Sequence, residues 1–313
     1  MRAFLFPGQG SQQVGMGRDL AAASPAARAV FQEVDDALGQ HLFRLMSEGD
    51  ERELTLTENA QPAIMANAIA TMRVLQAEGG IRLADKAAFV AGHSLGEYTA
   101  LCAADAVDLA TTARLLKLRG RAMQAAVPVG EGAMAALLGL SFEDAVAAAA
   151  AGAEGTDEVC NAANDNAPGQ VVISGHAGAV DRAIAVAKEK GARRAVLLPV
   201  SAPFHCALMA PAAEAMEKAL ADAALTAPLV PVYANITAAP VTDPDTIRRL
   251  LVEQVTGTVR WRESVAAMAE GGVTAFHELG GKVLAPMAKR IAPDASADST
   301  VTMAEIEALA AAL

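Results

Sequence analysis

The sequence predicts an α/β protein in which a parallel-sheet main domain carries a small inserted domain with the βαββαβ order of ferredoxin-like folds. Three observations predict this class. The chain has 313 residues, enough for a large core. Strand-like and helix-like runs alternate in its first part, whereas two strands follow each other directly in the middle. We therefore expect a main domain at 1–127 and 201–313 and an inserted domain at 128–200.

The first predicted elements are a strand, a glycine-rich loop and a helix. Arg2 to Phe6 is an apolar run that ends at the loop PGQGSQ, and Arg18 to Leu38 has helical spacing. A further helix is predicted from Gln61 to Gln76. The run KAAFVAG then predicts a buried strand, followed by a helix from about Leu95. This alternation is typical of a parallel sheet.

The middle of the chain predicts four strands and two helices. In chain order they are the strand GAMAALLGL, the helix SFEDAVAAAAAG, strands near Glu158–Asn161 and at GQVVISG, the helix HAGAVDRAIAVAKEKG and the strand RAVLLPV. The main domain resumes with strands at VPVYANI and VTAFHELG and helices around Ala212–Ala223, Thr246–Gln254 and Ser264–Glu270. The tail from Pro293 to Leu313 closes with an alanine-rich helix.

Composition and charge narrow the class of function. The net charge of −11 argues against a general nucleic-acid binder, and an anionic substrate would need a local basic pocket. Cys102, Cys160 and Cys206 show neither disulfide-framework nor CxxC spacing, which favours a reducing, cytoplasmic setting. The first apolar run is too short for a signal peptide, and none reaches the roughly 18 residues of a membrane span. We expect an unexported protein that does not bind membranes.

The stretch GHSLG, Gly92 to Gly96, raises the question of whether Ser94 is a nucleophile. In a nucleophile elbow, the serine sits on a sharp turn between a strand and a helix and needs small residues two positions to either side. Both glycines and both flanking elements meet that demand. Because serine also caps helices, the motif alone leaves a purely structural turn open.

A nucleophilic serine needs a base, and the chain has five histidines. His93 adjoins Ser94, where neighbouring side chains diverge, and His41 and His176 lie in ordinary helix and turn contexts. His205, in SAPFHCALM, follows the serine in the order typical of α/β serine enzymes. His277 is its nearest competitor. No carboxylate stands out as the third member of a triad, so a neutral carbonyl could orient the base.

Six motifs occur in order along nearly the whole chain. They are FPGQGSQ at Phe6–Gln12, GHSLGEY at Gly92–Tyr98, LRGRAMQ at Leu118–Gln124, NDNAPGQVVISG at Asn164–Gly175, PFHCALM at Pro203–Met209 and LVEQVTGTVRW at Leu251–Trp261. With this set the sequence closely resembles the malonyl-coenzyme A:acyl carrier protein transacylases, the malonyl-loading enzymes of fatty acid synthesis. An ordered set of this kind is far more specific than GxSxG alone.

The resemblance implies roles for matching residues. Ser94 would be the acylated nucleophile and His205 its base, and the carbonyl of Gln254 would orient that histidine in place of an acid. The backbone N–H groups of Gln9 and Leu95 would form the oxyanion hole.

The resemblance also assigns Arg119 to the free malonyl carboxylate. A guanidinium keeps its charge at physiological pH and presents parallel donors to a carboxylate, although the residues alone do not choose between Arg119 and Arg121. Phe204, Met123 and His93 are further candidates for the pocket. The bulk of Phe204 would narrow the space beside the malonyl α-carbon and disfavour methylmalonyl.

The implied reaction is a ping-pong transfer through a malonyl-serine, with malonyl-CoA and holo-acyl carrier protein as substrates and no metal or other cofactor. The implied fold is a hydrolase-like α/β domain with a ferredoxin-like insert. Acyl carrier protein would be a transient partner of a monomeric enzyme that needs neither nucleic acid nor membrane. Three alternatives remain: a serine thioesterase or hydrolase, an acyltransferase for another acyl-CoA extender, and a catalytically silent carrier-binding module.

Two local features complete the expectations. The turn Gly280-Gly281-Lys282 is one residue shorter than the family's Gly-x-Gly-Lys turn, which implies a different loop shape. Because carrier proteins of this pathway are acidic, an acidic enzyme would need a local basic rim. The candidates for that rim are Lys188, Lys190, Arg193, Arg194, Lys289 and Arg290.

Overall fold

The computed structural model describes residues 1–200 and 202–313, which form a mixed α/β fold with one largely parallel and one antiparallel sheet. The predicted α/β class and the parallel main sheet are therefore confirmed. The predicted boundary at Ser201 lies outside the described residues, and the division into two domains stays a prediction.

The described strands are, in chain order, β1 (Arg2–Phe6), β2 (Phe89–Gly92), β3 (Gly132–Leu138), β4 (Cys160–Ala167), β5 (Gln170–His176), β6 (Arg194–Leu197), β7 (Val232–Ala234), β8 (Ala239–Val241), β9 (Ala275–Leu279) and β10 (Ser296–Thr300).

The described helices are α1 (Arg18–Ala23), α2 (Pro25–Leu38), α3 (Leu42–Glu48), α4 (Glu51–Thr55), α5 (Thr57–Ala77), α6 (Leu83–Lys86), α7 (Leu95–Ala103), α8 (Leu109–Ala125), α9 (Phe142–Ala153), α10 (Ala177–Glu189), α11 (Ala210–Asp222), α12 (Pro244–Thr256), α13 (Trp261–Glu270), α14 (Leu284–Ile291) and α15 (Met303–Ala312), with a 3₁₀ turn at Ala207–Met209. Within these residues no helix combines the length and apolarity that a membrane span requires.

The larger sheet has the order β10-β9-β1-β2-β7-β8, and every pair in it is parallel except β7 with β8. Strand β1 lies between β9 and β2, and its Phe6 is paired with Gly92 of β2. Because parallel strands end at the same edge, the glycine-rich loop after β1 and the GHSLG turn after β2 lie side by side. The sheet thus brings two distant motifs together.

Helices cover both faces of this sheet. Alternate residues of β1 belong to different hydrophobic clusters: Phe4 and Phe6 lie in one, and Ala3 and Leu5 lie in the other. The first cluster contains buried residues of α5, α7 and α8, whereas the second contains buried residues of α13 and α14. This two-sided burial explains why β1 is apolar throughout instead of alternating with polar residues.

The smaller sheet has the order β4-β5-β3-β6, with every pair antiparallel. Helices α9 and α10 pack against each other and on the sheet. Their contacts are made largely by small residues. A Cβ on Gly152 of α9 would lie 2.4 Å from the carbonyl oxygen of Ala179 in α10, so the helices approach closely, as the alanine-rich composition suggests.

Three consecutive residues of β4 contact the part of the chain that carries the main sheet. Asn164 of β4 forms a parallel bridge with Val259. Arg262 of α13 donates to both carboxylate oxygens of the buried Asp165, at 2.8–3.0 Å. Asn166 is hydrogen-bonded to His93, the residue before Ser94. The small sheet therefore reaches the GHSLG turn.

Several predicted elements differ from the structure in their bounds. The helix expected over Arg18–Leu38 is interrupted at Ser24, because Pro25 lacks an N–H and Ser24, in an extended conformation, caps the helix that follows. The strand expected near Glu158–Asn161 runs instead over Cys160–Ala167. Strand β10, within the predicted tail, was not predicted because Ser296–Thr300 is a polar edge strand.

Candidate active site

The turn after β2 holds Ser94 in a backbone conformation that residues other than glycine rarely adopt, with φ 55° and ψ −112°. A Cβ on Gly92 would lie 1.8 Å from the carbonyl oxygen of Gly96, and one on Gly96 would lie 2.2 Å from that of Phe6. Neither position has room for a side chain. The sharp strand-to-helix turn has the shape of a nucleophile elbow.

Asn235, just after β7, ties this turn to the neighbouring strand. Its Oδ1 accepts a hydrogen bond from the N–H of Ser94 and its Nδ2 donates to the carbonyl of Gly92, both at 2.8 Å. Sequence reasoning missed Asn235. The available signal was an asparagine at the carboxyl end of the predicted strand VPVYANI, at the edge of the sheet that carries the turn.

His205 meets the serine directly, with 2.7 Å between its Nε2 and Ser94 Oγ. Its Nδ1 lies 2.8 Å from the backbone carbonyl oxygen of Gln254. Since a carbonyl only accepts, Nδ1 carries the proton and Nε2 is free to accept from the serine hydroxyl. Like Ser94, His205 has a positive φ, 56°, so both residues hold positions that the surrounding fold must enforce.

His205 is buried and neutral. Burial and, next, the nearby positive charge of Arg119 lower the pKa of His205 to about 3, although its contact with the Gln254 carbonyl opposes this shift. A neutral imidazole with Nε2 aimed at a hydroxyl can take the proton of that hydroxyl.

Arg119 of α8 brings a buried positive charge to the same serine. The residue is 1% exposed. Its Nη1 donates to Gln61 Oε1 at 2.9 Å, and its Nη2 donates to Ser94 Oγ at 3.2 Å and to Gln254 Oε1 at 3.0 Å. Its Cζ lies 5.7 Å from the centre of the Tyr98 ring. Two residues further along α8, Arg121 instead pairs with Glu58 at the surface, so the structure separates the two arginines.

The charge of Arg119 lacks a carboxylate partner in the described protein. None of the ion pairs among residues 1–200 and 202–313 includes it. Its buried Nε also has no hydrogen-bond partner in that part of the chain. Burial lowers the pKa of Arg119, but a guanidinium stays charged at physiological pH. Such a group is suited to binding an anion that enters the cavity.

A buried carboxylate lies behind the serine. Glu97 of α7 is 2% exposed, and its Oε2 accepts from Gln254 Nε2 at 2.7 Å and from the backbone N–H of Asn235 at 3.0 Å. Burial raises the pKa of Glu97 to about 7, against the opposing effect of these two hydrogen bonds and of the Arg119 charge. Sequence reasoning passed over Glu97 although it stands inside GHSLGEY. A charged residue in the first turn of a helix expected to be buried was the missed signal.

A cavity of about 340 Å³ opens onto these groups. Both parts of the fold line it: Gln9 and Ser94 follow strands β1 and β2 of the main sheet, whereas Met134 and Asn164 lie on β3 and β4 of the small sheet. The predicted site residues that line it are Gln9, His93, Ser94, Leu95, Arg119, Met123, Phe204 and His205. Gln254 is 0% exposed and does not line the cavity. It is hydrogen-bonded to Arg119 and His205, which do.

Three other histidines have hydrogen-bond partners other than Ser94. His93 lines the cavity, but its Nε2 is hydrogen-bonded to Asn166 Oδ1 at 2.8 Å, and burial lowers its pKa. His277 lies on β9 with its Nδ1 2.9 Å from Asp298 of β10. His176 accepts from a backbone N–H through its Nδ1. Of the five histidines, His205 is the one hydrogen-bonded to Ser94.

Gln9 and Leu95, whose backbone N–H groups are the predicted oxyanion hole, both line the cavity. Gln9 lies in the loop after β1, and Leu95 is the first residue of α7. Among the hydrogen bonds of the described residues, neither N–H has an acceptor. Leu95 also stands at a helix N-terminus, where unpaired N–H groups favour a negative charge.

The three cysteines are buried free thiols. Cys206 follows His205, and its Sγ lies 3.1 Å from the Pro203 carbonyl oxygen. Burial raises the pKa of the Cys206 thiol, as it does for Cys102 and Cys160, whose values are about 12. No cluster of three His, Cys, Asp or Glu side chains able to hold a metal ion occurs in the described ranges.

The remaining predicted features lie away from the serine. The turn Gly280-Gly281-Lys282 lines a separate recess, where the carbonyl of Gly280 accepts from Asn67 and Lys282 pairs with Glu305. The six residues of the predicted basic rim are all exposed, and none lines the cavity. Arg52 was not predicted from the sequence. It lines an outer recess, and Gln9 lines both that recess and the cavity.

Comparison with a family model relates this geometry to known proteins. Residues 3–290 match the model described as the acyl transferase domain. The match covers most of the chain and includes every predicted site residue.

Curated relatives and solved structures match over nearly the same length. The malonyl CoA-acyl carrier protein transacylase of Escherichia coli K12 is 46% identical over 312 residues, which span 99% of this chain and 98% of the relative. The acyl-carrier-protein-S-malonyltransferase of Bartonella henselae has a TM-score of 0.96 at 53% identity, covering 99% of this chain and 98% of that one. A malonyl-transacylase in complex with its type II PKS acyl-carrier protein has a TM-score of 0.95 at 40% identity, covering 100% and 99%.

Proposed function

The chain belongs to the acyl transferase domain family and, within it, to the malonyl-CoA–acyl carrier protein transacylases, and from this premise we propose that it transfers malonyl through a malonyl-Ser94 intermediate. The enzyme is an [acyl-carrier-protein] S-malonyltransferase that takes malonyl-CoA as donor and the phosphopantetheine thiol of acyl carrier protein as acceptor. One observation carries the proposal. A neutral His205 and a cationic Arg119 both contact the hydroxyl of a serine in an elbow.

In the first half-reaction, Ser94 Oγ attacks the carbonyl carbon of the malonyl thioester as its proton passes to His205 Nε2. The new bond joins Oγ to the acyl carbon, the carbon–sulfur bond breaks, and the proton passes from His205 to the coenzyme A sulfur. The 2.7 Å distance between Oγ and Nε2 suits direct proton transfer. The Gln254 carbonyl keeps the imidazole in the required tautomer without adding a negative charge beside it.

The oxyanion that forms in this step is bound by the N–H groups of Gln9 and Leu95. Both groups border the cavity and are unpaired among the described residues. Fixed donors of this kind stabilise a tetrahedral intermediate more than the ground-state carbonyl.

The free carboxylate of the malonyl group binds Arg119. The guanidinium is buried, lacks an acid partner in the described chain and has an unpaired Nε. It gives up its contact with Ser94 Oγ when the serine becomes acylated and offers the freed donor to the carboxylate. This ion pair distinguishes malonyl from acetyl groups, which carry no such charge.

In the second half-reaction the carrier protein replaces coenzyme A. The phosphopantetheine thiol gives its proton to His205 and attacks the acyl carbon, the carbon–oxygen bond to Ser94 breaks, and the proton returns to Oγ. This order is ping-pong, because the first product leaves before the acceptor enters. A relative solved in complex with its acyl-carrier protein supports a transient carrier partner for this chain as well.

The finer description of the fold belongs to the same proposal. We infer a hydrolase-like main unit from the parallel sheet and its elbow, and a ferredoxin-like insert from the β3-α9-β4-β5-α10-β6 order of the small antiparallel sheet. A cytoplasmic location, a monomeric state and independence from metal, nucleic acid and membrane stay predictions from the sequence and the family resemblance.

The test is to follow the acyl group by intact mass spectrometry. Incubation with malonyl-CoA alone is expected to add one malonyl group to the wild-type protein and none to Ser94→Ala. Added holo-acyl carrier protein should then remove the group and become malonylated. Rapid loss of the adduct to water before carrier protein is added would indicate a hydrolase and contradict the proposal. An unchanged adduct on Ser94→Ala would also contradict it.

A further inference from the structure

Gln254 holds two groups of the site at once. Its backbone carbonyl accepts from His205 Nδ1, and its side-chain Oε1 accepts from Arg119 Nη2. The second contact depends on which way the amide faces, because a turned amide would present Nε2 to the guanidinium, donor against donor. Something must therefore fix the amide for Arg119 to keep its acceptor.

Glu97 supplies that constraint. Its Oε2 lies 2.7 Å from Gln254 Nε2, the shortest of the three contacts that this nitrogen makes; the others are 3.1 Å to the Ser94 carbonyl and 3.2 Å to Asn235 Oδ1. All three partners are acceptors. A turned amide would bring Oε1 against three oxygens, one of them in a buried carboxyl group, and the desolvated site would make this unfavourable.

Glu97 is itself fixed from the opposite side. The backbone N–H of Asn235 donates to the same Oε2 at 3.0 Å, and Asn235 is held by the turn that carries Ser94. No cation among the described residues forms an ion pair with Glu97. A buried acid without such a partner destabilises the fold, so its presence beneath the serine calls for a role beyond packing.

We propose that Glu97 is a positioning residue for malonyl recognition: by fixing the Gln254 amide it keeps Arg119 aimed at the substrate carboxylate. This inference rests on the proposed function of Arg119 and deepens it. Glu97 touches neither the serine hydroxyl nor the substrate, and it acts through Gln254. Its effect should thus be larger on malonyl than on acetyl donors, because the acetyl group makes no use of Arg119.

Two substitutions separate positioning from packing. Glu97→Gln keeps an acceptor oxygen for Gln254 Nε2 and the Asn235 N–H, whereas Glu97→Met fills a similar volume without an acceptor. The matched control is Glu278→Met. Glu278 is equally buried, accepts N–H groups at the start of α14 and lies outside the cavity. It reports what the loss of a buried acid does to activity through stability alone.

The measurement is kcat/KM for acylation of Ser94 by malonyl-CoA and by acetyl-CoA in each variant. Glu97→Met should lower the malonyl value roughly tenfold or more and the acetyl value less than about threefold. This is the effect expected when the charged Arg119 loses its hydrogen bond to Gln254 Oε1. Glu97→Gln should recover most of the malonyl value. Glu278→Met should change both donors by the same factor.

A second measurement reads the amide without relying on turnover. The side-chain NH₂ resonances of Gln254, assigned by their absence in Gln254→Ala, should shift or broaden in Glu97→Met and stay close to wild type in Glu97→Gln. If these signals are unchanged in Glu97→Met, the proposal is wrong, even if the wild-type protein transfers malonyl as proposed. Equal losses on both donors, with no recovery in Glu97→Gln, would also overturn it. If malonyl-CoA does not acylate the wild-type protein, the proposed function is refuted instead. The NMR result would then still show whether Glu97 fixes the Gln254 amide.

Discussion

Arg119 places a buried positive charge at the cavity that also contains Ser94. A buried guanidinium loses the hydration of its charge, and its polar neighbours Gln61, Gln254 and Ser94 compensate only with neutral acceptors. An entering carboxylate would supply the missing negative charge. On the proposed function, a malonyl group would therefore stabilise the buried charge of Arg119, whereas an acetyl group would not.

Replacing Arg119 by alanine should weaken malonyl transfer selectively. The lost pair is a hydrogen bond between charged groups, about 1.5–3 kcal/mol, so kcat/KM for malonyl-CoA should fall roughly 10- to 150-fold while acetyl transfer changes little. The assay compares both donors on the same preparation. Arg121→Ala is the matched control, since this arginine stands two residues away on α8 and pairs at the surface. Equal losses for both donors would speak against the carboxylate pair.

The sequence was enough to predict Ser94 and His205, but not the buried residues that surround them. The spacing of GHSLG and the Ser-before-His order are local signals that survive without a structure. By contrast, Arg119 and Arg121 are two residues apart on one helix and face different sides, so the choice between them depended on family resemblance until packing showed which is buried. Asn235 and Glu97 needed the sheet order and the burial of α7, which no local pattern encodes.

At the scale of elements, the β2–α7 turn stores backbone strain beside the site of chemistry. Ser94 adopts its positive φ because Asn235 holds the turn from β7 and because Gly92 and Gly96 leave no side chain to push it open. The strain is tolerated because flanking elements are buried and paired.

Gly96→Ala should disturb this element specifically. The added Cβ would meet the Phe6 carbonyl oxygen at 2.2 Å, and such overpacking against backbone should lower the free energy of unfolding by about 1–3 kcal/mol. The shifted turn should also slow acylation of Ser94, measured by intact mass. Gly271→Ala is a suitable control, because the backbone of Gly271 has a negative φ and the added Cβ would lie 3.2 Å from its nearest neighbour, the Ala267 carbonyl oxygen. Similar acylation rates in both variants would rule out a special role for the Gly96 position.

Elements with apolar periodicity were predictable, and those defined by tertiary contacts were not. The strand at FVAG and the helix around QPAIMANAIATMRVLQ follow directly from burial on the sheet. Only the first residues of strand β4 were predicted, because the polar run Asn164-Asp165-Asn166 is typical of a loop. These polar residues can be buried in the strand because Arg262 pairs with Asp165, His93 is hydrogen-bonded to Asn166, and Asn164 forms a backbone bridge with Val259.

At the scale of the whole molecule, the cavity exists because two sheets meet. Ser94 follows a strand of the main sheet, Arg119 lies on α8 and His205 lies in the loop before the 3₁₀ turn, and the small sheet contributes Met134 and Asn164 to the lining. Asp165 and Arg262 hold the sheets together beside this wall. The order of strands along the chain suggested two units, but the contact between them could not be predicted from either pattern alone.

Two buried groups of the site should give the stability of the molecule opposing pH dependences. The native pKa of His205 is about 3, against 6.5 ordinarily, so below pH 6.5 the unfolded chain binds a proton that the native state refuses, and stability falls as the pH falls. The native pKa of Glu97 is about 7, against 4.5 ordinarily. Between these values the native state holds a proton that the unfolded chain lacks, so stability falls as the pH rises from 4.5 through 7.

Urea unfolding at pH 7 and pH 5 can separate these contributions. On lowering the pH, His205→Asn should lose about 2 kcal/mol less stability than the wild type, since 1.4 kcal/mol corresponds to about one pKa unit. Glu97→Gln should lose more than the wild type over the same interval, because it lacks the group that gains stability on acidification. Shifts of the same sign in both variants would contradict these assignments.

The buried cysteines have a consequence for an enzyme whose proposed acceptor, phosphopantetheine, and first product, coenzyme A, both end in thiols. A reactive thiolate near Ser94 would exchange with disulfide forms of coenzyme A or pantetheine and trap the protein as a mixed disulfide. Cys206 is adjacent to His205 but is buried with its Sγ beside the Pro203 carbonyl oxygen, and burial keeps it protonated by raising its pKa. We therefore expect Cys206 to resist thiol–disulfide exchange even though a carrier-protein thiol enters the neighbouring cavity during the proposed reaction.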